Sequence, residues 1–363
     1  MRNILGSHVS VTLFGESHGA AVGAVIDGLA SGIPVDEDFI RHQLTLRRPV
    51  GALSTPRQET DPFVIESGVY NGRTTGSPIL IRIPNGDTKS GDYAPFAATP
   101  RPGHADYTAK IKYNGYADPR GGGHFSGRIT AAIVAAAAIV IPALKEKGIH
   151  IATHIARVAG VADRPFGDLA ADMAKLNDAA FAVLDDTAAE AMKEAILAAA
   201  ADGDSVGGVL ETVVTGLPVG VGEPWFDTLE SVLSHTLFSI PAVKGVEFGD
   251  GFALSEMRGS EANDRFVKDG DTVVTATNRG GGINGGISNG MPLVIRCAVK
   301  PTPTIHKAQR TLSLDTGELT DLVAGGRHDP CIVHRARVVA DSMVALTLCD
   351  ALSIKYGTDW LAK

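Results

Sequence analysis

The feature that most constrains the fold is an apolar run, Ala131–Leu144, that closely follows three consecutive glycines. The run is nearly all Ala, Ile and Val, and Pro142 interrupts it near its end. It is too short to cross a bilayer and is apolar on every side, which predicts a helix in the core of the protein. Ser126 is a suitable N-cap for a helix that begins near Gly127.

The stretch before that helix, DPRGGGHFSGRIT at residues 118–130, is a candidate binding loop. Residues 121–123 are glycines without a Cβ, so the backbone there can turn sharply and approach a ligand closely. His124, Ser126 and Arg128 add a titratable ring, a hydroxyl and a fixed cation. The start of a helix also attracts anions through its backbone N–H groups and its dipole. The alternative is a glycine loop that serves only the buried helix behind it.

Composition narrows the class of protein. The chain has 363 residues, of which 44% are hydrophobic and 20% charged, which is typical of a globular protein. The net charge of −8 argues against general nucleic-acid binding, so an anionic ligand would need a local cluster of cations. Three cysteines without close pairing and an N-terminus without a signal-peptide pattern indicate a cytosolic protein with reduced thiols. We expect neither nucleic-acid nor membrane binding.

Three histidines lie in glycine-rich turns, where their rings would be accessible. His18 is part of GESHG, directly after a predicted strand, and His104 lies between Gly103 and Ala105. His124 follows the three consecutive glycines. Loops at strand ends often carry catalytic groups. The alternative for His18 is an ordinary turn histidine without a catalytic role.

Strands and helices are predicted in runs without regular βαβ alternation. The predicted strands span residues 9–14, 21–26, 63–70, 77–83, 150–161, 206–215 and 292–299. The predicted helices span residues 36–46, 187–201, 229–238 and 332–352. The motif GGRHDPC before the last helix echoes the glycine stretch at 118–130, which indicates an internal two-fold duplication. We therefore predict an α+β fold in one compact domain over residues 1–363.

Cations and further glycines mark other candidate sites. Arg47 and Arg48 end a predicted helix, where they either complement its dipole or clamp a carboxylate or phosphate. The following residues, 54–61, are predicted to form an exposed loop. The stretch 278–290, NRGGGINGGISNG, is either a phosphate or cofactor loop or a set of tight turns. In KPTPT, residues 300–304, two prolines should hold the lysine and the hydroxyls nearly fixed.

Taken together, eight motifs resemble the chorismate synthase family, in that family's order and spacing. They are GESHG (15–19), RRP (47–49), RPGHADYT (101–108), GGGHFSGR (121–128), AVKGVEFGDGF (242–252), GGGINGGISNG (280–290), KPTPT (300–304) and GRHDPC (326–331). One glycine loop alone would be unspecific, whereas eight motifs in register are highly specific. Some positions depart from the commonest pattern. Many members have Arg-Ser where this chain has His124 and Phe125. Members usually also have a second arginine near the position of Leu53, and Arg57 is the nearest residue of this chain that could replace it.

The resemblance implies a reaction and a fold. 5-Enolpyruvylshikimate 3-phosphate would lose phosphate and a ring proton in an anti-1,4 sense to give chorismate, the last common step of the shikimate pathway to aromatic amino acids. Reduced FMN would lend electron density to the allylic C–O bond and recover it, and NADPH would enter only as a reductant, with an external flavin reductase expected. The implied fold is a helical layer between antiparallel sheets, a β-α-β sandwich with pseudo-two-fold symmetry, assembled as a cytoplasmic homotetramer.

The resemblance also implies roles for individual residues. His18 would protonate the departing phosphate, His104 would handle a proton on the flavin, and Asp329 would lie near flavin N5 and relay the substrate proton. The substrate-binding residues would be Ser17, Arg47, Arg48, Arg128 and Arg335. The FMN-binding residues would be His124, Phe125, Ser126, Pro241, Ala242, Gly285, Lys300, Pro301, Thr302, Pro303, Thr304 and Arg327. No metal is expected.

Two other classes of protein are open at this point. A metal-dependent sugar-phosphate lyase without flavin would need clustered carboxylate or histidine ligands, and the sequence has none with ligand spacing. A non-catalytic nucleotide-binding subunit is the second alternative. The histidines in glycine turns argue against it, because binding alone does not require titratable groups.

Overall fold

The computed structural model describes residues 3–49, 51–54, 60–86, 96, 98–325 and 328–362. The helices in these ranges are α1 (Glu37–Arg47), α2 (Asp106–Lys112), α3 (Thr130–Glu146), α4 (Leu169–Asn177), α5 (Asp186–Ala201), α6 (Leu229–Leu237), α7 (Gly259–Ala262) and α8 (Val333–Tyr356). The strands are β1 (Ile4–Leu5), β2 (Ser10–Gly15), β3 (Ala21–Asp27), β4 (Val64–Ser67), β5 (Val69–Tyr70), β6 (Arg73–Thr74), β7 (Ile79–Pro84), β8 (His150–Val158), β9 (Val161–Ala162), β10 (Gly208–Thr215), β11 (Val243–Phe248), β12 (Phe266–Asp269), β13 (Thr272–Thr275), β14 (Ile283–Asn284), β15 (Ile287–Ser288), β16 (Leu293–Val299), β17 (Gln309–Leu312) and β18 (Leu319–Leu322).

Two five-stranded sheets form the outer layers. The first has the order β1-β2-β3-β7-β4 and the second the order β11-β16-β10-β8-β9, and all neighbours within them are antiparallel. In β7, Ile79, Ile81 and Ile83 are buried while the residues between them are less so. Leu293, Ile295 and the following alternate residues of β16 are buried in the same way. Each sheet therefore turns one apolar face toward the middle layer.

The middle layer is helical and contains the two longest helices. Helix α3 packs on β3 and β7 of the first sheet, α8 packs on β8 and β10 of the second, and the two helices pack against each other. Helix α1 contacts both of them, and α6 contacts α8 and β11. The predicted α+β fold, with a helical layer between antiparallel sheets, is confirmed. Each half supplies one sheet and one long helix, as the predicted duplication requires.

Helix α3 is the buried helix that the apolar run predicts. Every residue from Thr130 to Val140 is buried, because alanines let neighbouring helices approach closely on all sides. Pro142 interrupts the apolar run but does not end the helix, which continues to Glu146. A proline in the last turns removes only one donor, and the packing of the preceding buried turns maintains the helix.

The apolar run alone is too short to cross a bilayer, but within the described ranges the longer helical stretch that contains it is long and apolar enough to do so. It is Gly127–Glu146, with a mean hydropathy of 2.0, and 83% of its apolar window is buried inside the fold. Since the sheets and the other helices cover it, this stretch is the centre of the core.

The other predicted elements are found with shifted ends, and several elements were not predicted, among them α2, α4 and β11. Helix α2 follows directly after the turn at residues 101–105, and only one of its residues, Ala109, is buried. Without an apolar stripe it produces no helical pattern in the sequence. Helix α4 and strand β11 were also missed. The reason for β11 is its short glycine-containing sequence, VKGVEF, which resembles a turn.

Candidate active site

A cleft of about 680 Å³ opens at one end of the helical layer, within the size range of small-molecule sites. Its floor is apolar and is formed by Ile129 and Ile133 near the start of α3 and by Val339 and Met343 of α8. Its walls carry arginines, a lysine, histidines and hydroxyls from loops. The cleft can therefore accept a flat ligand with an apolar face and charged substituents.

The glycine loop at residues 121–123 forms one wall and adopts a conformation that other residues rarely tolerate. The φ angles of its three glycines are 63°, 82° and 55°. A Cβ on Gly121 would lie 2.4 Å from Cδ2 of His18 and 2.8 Å from Oγ of Ser17. Ser126 then accepts a hydrogen bond from the Arg128 N–H, over 3.2 Å, and begins the turn into α3. The predicted loop and cap are confirmed.

His18 and Ser17 lie behind this loop and are not among the residues that line the cleft. Both are buried, and the Ser17 N–H donates to the carbonyl of Gly123 over 3.1 Å. The Ser17 Oγ is buried and has no hydrogen-bond partner among the described residues. Gly121 is the cleft residue that both side chains face, so a side chain at position 121 would occupy the place they need.

Arg47, Arg128 and Asp61 form a buried ion cluster beside the glycine loop, which we call the arginine cluster. Nη2 of Arg47 donates to Oδ2 of Asp61 over 2.9 Å, and Nη1 of Arg128 donates to the other oxygen. Burial raises the pKa of the Asp61 carboxyl, but the charges of the two arginines outweigh it and lower that pKa below its usual value. Burial, together with nearby Arg335 and Arg128, lowers the pKa of Arg47.

Asp61 corrects the sequence prediction for residues 54–61, an exposed loop. Its side chain is fully buried and its φ is 49°. The reason is electrostatic, because two buried guanidinium groups require a counter-charge. The residues around Asp61 in the sequence do not indicate that it pairs with Arg128, because Arg128 is 67 residues away.

Arg335 and Asp329 extend the charged wall toward α8. Nη1 of Arg335 donates to Oδ2 of Asp329 over 2.7 Å, and its Nε donates to the carbonyl of Arg47 over 3.0 Å. Both residues line the cleft. Arg48 differs from Arg47, because its Nη2 donates to the carbonyl of Thr60 and it does not line the cleft.

His104, Asp106 and Arg101 form a second polar group, which we call the histidine cluster. Nδ1 of His104 lies 2.6 Å from Oδ1 of Asp106, and Arg101 donates to both carboxylate oxygens, over 2.8 and 2.7 Å. Burial raises the pKa of the Asp106 carboxyl, but these hydrogen bonds lower it to well below its usual range. The sequence analysis missed Asp106 and Arg101, although the motif RPGHAD contains both next to the histidine.

The opposite wall joins three separate segments. Nζ of Lys300 donates to the carbonyl of Gly103 over 2.6 Å, and its backbone N–H donates to the carbonyl of Ala242 over 2.9 Å. Ala242 has a φ of 75°, a strained conformation for a residue with a side chain. The Oγ1 of Thr302 is buried without a hydrogen-bond partner among the described residues. An orphaned hydroxyl and a strained backbone are both typical of a ligand-binding wall.

His124 and Phe125 are both at the cleft but present different groups to it. Nδ1 of His124 lies 2.7 Å from the carbonyl of Gly15, which requires that this nitrogen carry a proton. Phe125 is 41% exposed and contacts the ring of Tyr113 edge-on, with 6.1 Å between ring centroids. The rings of this pair therefore supply an apolar surface near the mouth of the cleft.

Comparisons with known proteins point to a single family. The family model described as chorismate synthase matches residues 9–353. The chain is 47% identical to the chorismate synthase of Thermococcus gammatolerans over 347 residues, 96% of each chain, and 44% identical to that of Chitinophaga pinensis over 361 residues, 99% of each. A crystal structure of chorismate synthase superimposes with a TM-score of 0.75, at 29% identity, and covers 98% of this chain and 95% of that one.

The chain belongs to the chorismate synthase family. It is accordingly an enzyme of the lyase class, and the family resemblance of its eight motifs is confirmed.

The cleft brings together most of the site residues that the resemblance to chorismate synthases predicts. Those that line it are Arg47, His104, His124, Phe125, Ser126, Arg128, Pro241, Ala242, Lys300, Thr302, Pro303, Thr304, Asp329 and Arg335. Pro301 is exposed beside them. Gly285 is in the turn between β14 and β15 and does not line the cleft. Arg327 and Arg57 lie outside the described residues.

Proposed function

We propose that the protein converts 5-enolpyruvylshikimate 3-phosphate to chorismate by anti-1,4 elimination of phosphate and a ring proton, with reduced FMN as cofactor. The observation that carries this proposal is the convergence of Arg47, Arg128 and Arg335 with His104 and Asp329 on one cleft. A substrate with two carboxylates and a phosphate requires such a set of cations, because bidentate guanidinium contacts are the strongest that side chains offer to these groups.

Three groups of residues would hold reduced FMN: residues 124–126, residues 241–242 and the KPTPT segment. The apolar floor fits an isoalloxazine ring, and the orphaned Thr302 hydroxyl and Lys300 fit its polar and phosphate groups. Reduced FMN, when bound, supplies electron density to the allylic C–O bond with no net redox change. Lys300 is already held by the carbonyl of Gly103, which limits the entropy lost when it contacts an anion.

The arginines bind and orient the substrate. Asp61 neutralises part of the charge on Arg47 and Arg128, and its fixed contacts hold both guanidinium groups in one orientation. Arg335 links the wall to α8 through Asp329 and the carbonyl of Arg47. We assign Arg48 a structural role next to the substrate site, because its guanidinium donates a hydrogen bond to the carbonyl of Thr60.

Protons are handled at three side chains. We assign to His18 the proton for the departing phosphate, because its ring lies directly behind Gly121 of the cleft wall, where a Cβ would lie 2.6 Å from its Nε2. Ser17 supports it with a hydroxyl beside the same glycine. Asp329, oriented by Arg335, relays the proton that leaves the substrate ring, and His104 exchanges a proton at the cofactor.

We further propose one domain over residues 1–363, a cytoplasmic location, a homotetramer and an external flavin reductase that uses NADPH. One core cluster contains residues of both sheets and of the helices between them, which supports a single domain. Trp225, Phe226 and Phe252 are more than 80% exposed, and exposed large aromatic side chains of this kind support a subunit interface.

An anaerobic assay with the substrate and dithionite-reduced FMN tests the proposed function. We expect chorismate to form with reduced FMN and not without flavin, and we expect substrate and flavin to strengthen each other's binding. Full turnover without any flavin contradicts the role of FMN. Binding of flavin without any turnover contradicts the reaction itself.

A further inference from the structure

Asp106 is not required for any contact that the proposed function assigns to substrate or cofactor, yet it is held rigidly. Its carboxylate accepts hydrogen bonds from the backbone N–H of Arg101 over 3.0 Å and from the Arg101 side chain. The guanidinium of Arg101 is held in turn by Oγ1 of Thr304, over 3.2 Å, and stacks 4.3 Å above the ring of Phe96. A carboxylate fixed on this many sides determines the orientation of whatever else it contacts.

The Asp106 carboxylate also contacts Nδ1 of His104. A carboxylate oxygen that lies 2.6 Å from an imidazole nitrogen requires a proton between the two, because two acceptors repel at that distance. Nη2 of Arg101 also lies near Nδ1, at 3.0 Å, but a guanidinium can only donate and is engaged with Oδ1 of Asp106 over 2.7 Å. Of the two contacts at Nδ1, the one with the Asp106 carboxylate is shorter than the one with Arg101. The carboxylate also attracts the ring when the ring is positively charged. The contact with Asp106 therefore determines that Nδ1 carries the proton.

The other ring nitrogen faces the cleft side. Cε1 and Nε2 of His104 each lie 3.8 Å from the position that a Cβ on Gly122 would occupy. Gly122 therefore leaves space beside Nε2, and His104 lines the cleft. With the proton on Nδ1, the lone pair of Nε2 points into that space.

We propose that Asp106 is a positioning residue that keeps His104 in the tautomer with the proton on Nδ1, so that Nε2 is a proton acceptor toward the cleft. The role of the accepted proton rests on the proposed function. The tautomer rests only on the contact between Nδ1 of His104 and the Asp106 carboxylate. When Nε2 takes a proton the ring becomes a cation, and the ionised Asp106 balances its charge without being protonated itself. The proton leaves by the same nitrogen, so charge and protons balance over a cycle.

The test compares Asp106→Asn with Asp106→Leu in protein carrying ¹⁵N-labelled histidine, and His104→Gln assigns the resonance. In the wild-type apoprotein at a pH where the ring is neutral, we expect the ¹⁵N shifts of a protonated Nδ1 and a bare Nε2. Asp106→Asn should lose that tautomer, because the amide oxygen is needed where Arg101 donates twice and the amide NH2 then faces Nδ1 as a donor, and Asp106→Leu should lose it because no acceptor remains. A wild-type spectrum with the proton on Nε2 overturns the proposal.

Turnover provides the second readout. We expect kcat to fall about 10- to 10³-fold in Asp106→Leu and at least as much in Asp106→Asn, with KM and the flavin Kd within about two-fold of wild type. A kcat within two-fold of wild type in Asp106→Leu also overturns the proposal. If the wild-type enzyme forms no chorismate, the proposed function fails, and the ¹⁵N spectra of the apoprotein still decide the tautomer.

Two further variants separate positioning from loss of structure. Arg101→Gln loosens the turn but leaves Asp106 against His104, so the Nδ1-protonated tautomer should persist; its loss there would show that the turn, and not the carboxylate, sets the tautomer. Asp172→Leu removes a similar carboxylate that Arg164 binds over 2.6 and 2.9 Å outside the cleft. It should change neither the His104 spectrum nor kcat by more than two-fold.

Discussion

The arginine cluster and the histidine cluster both contain an aspartate held by arginine, but they differ in its partners and its burial. Asp61 contacts two arginines and is fully buried, whereas Asp106 contacts one arginine and one histidine and is 12% exposed. In the first cluster the aspartate balances two fixed cations. In the second we propose that it orients a ring that accepts and releases a proton. On the proposed function, the same carboxylate chemistry supports anion binding in one cluster and proton transfer in the other, according to whether its partners titrate.

The largest effect should come from His18, to which we assign the proton of the leaving group. His18→Ala should lower turnover about 10²–10⁴-fold, the usual contribution of a general acid, and leave flavin affinity close to wild type. His104→Ala should instead change the absorbance spectrum of the bound reduced flavin. Turnover and spectra of both variants measure this division of roles. Near-normal turnover in His18→Ala with a shifted flavin spectrum would show that the two roles are reversed.

The second largest effect should be the loss of stability when the arginine cluster loses its aspartate. Asp61→Leu should lower the free energy of unfolding by about 3–5 kcal/mol, because two buried arginines lose their counter-ion. Urea denaturation followed by circular dichroism measures it. Asp172→Leu is the matched control, since its partner Arg164 is 42% exposed and can be solvated, so the loss should be closer to 1 kcal/mol. Equal losses of unfolding free energy in the two variants would mean that the ion pairs of Asp61 stabilise the fold no more than a solvent-exposed salt bridge does.

A smaller effect is expected when a cation is kept but its shape is changed. Arg47→Lys should weaken substrate binding by about 1–3 kcal/mol, because an ammonium group cannot make two parallel hydrogen bonds. Flavin binding without substrate should change little. Arg48→Lys is the neighbouring control and should have a weaker effect, since Arg48 does not line the cleft. An unaltered Michaelis constant in Arg47→Lys would remove Arg47 from the substrate site.

The smallest effect is the pH dependence of the arginine cluster. Because the two arginines lower the folded-state pKa of Asp61, its charged form stabilises the fold above the unfolded-state pKa of about 3.9. That stability is lost as the pH falls through the lower folded-state pKa. The difference in unfolding free energy between wild type and Asp61→Asn should therefore be constant from about pH 6 to 8 and shrink below about pH 4. A difference that grows toward acid would contradict the assigned sign.

Residues close together in the chain were predicted well. The three glycines, the cap at Ser126 and the buried helix α3 follow from local rules, since positive φ, capping and all-round apolarity each depend on a few consecutive residues. At Pro142 the packing of the buried turns maintains a helix that the local rule alone disfavours. Helix α2 was missed because its exposed surface leaves no periodic pattern.

Long-range partners were not predicted. Asp61 was assigned to an exposed loop, because nothing near it in sequence shows that Arg128, 67 residues away, will be its partner. Gly285 belongs to a glycine-rich motif like the one at residues 121–123, yet it lies in a hairpin turn that does not line the cleft. Motif resemblance therefore indicates which segments matter without showing which of their atoms meet.

By itself the sequence determined the family, the central helix and the segments that carry glycines, histidines and arginines, because these depend on residue identity and spacing along the chain. Only the tertiary structure decided that His18 and Ser17 stand behind Gly121, that Asp61 joins Arg47 to Arg128, and that Asp106 faces Nδ1 of His104. The last contact is local in sequence but still depends on the conformation of a turn. Hydrogen bonds and ion pairs depend on separations of a few tenths of an ångström, and such separations are set by the packing of the two sheets and the helical layer around the cleft.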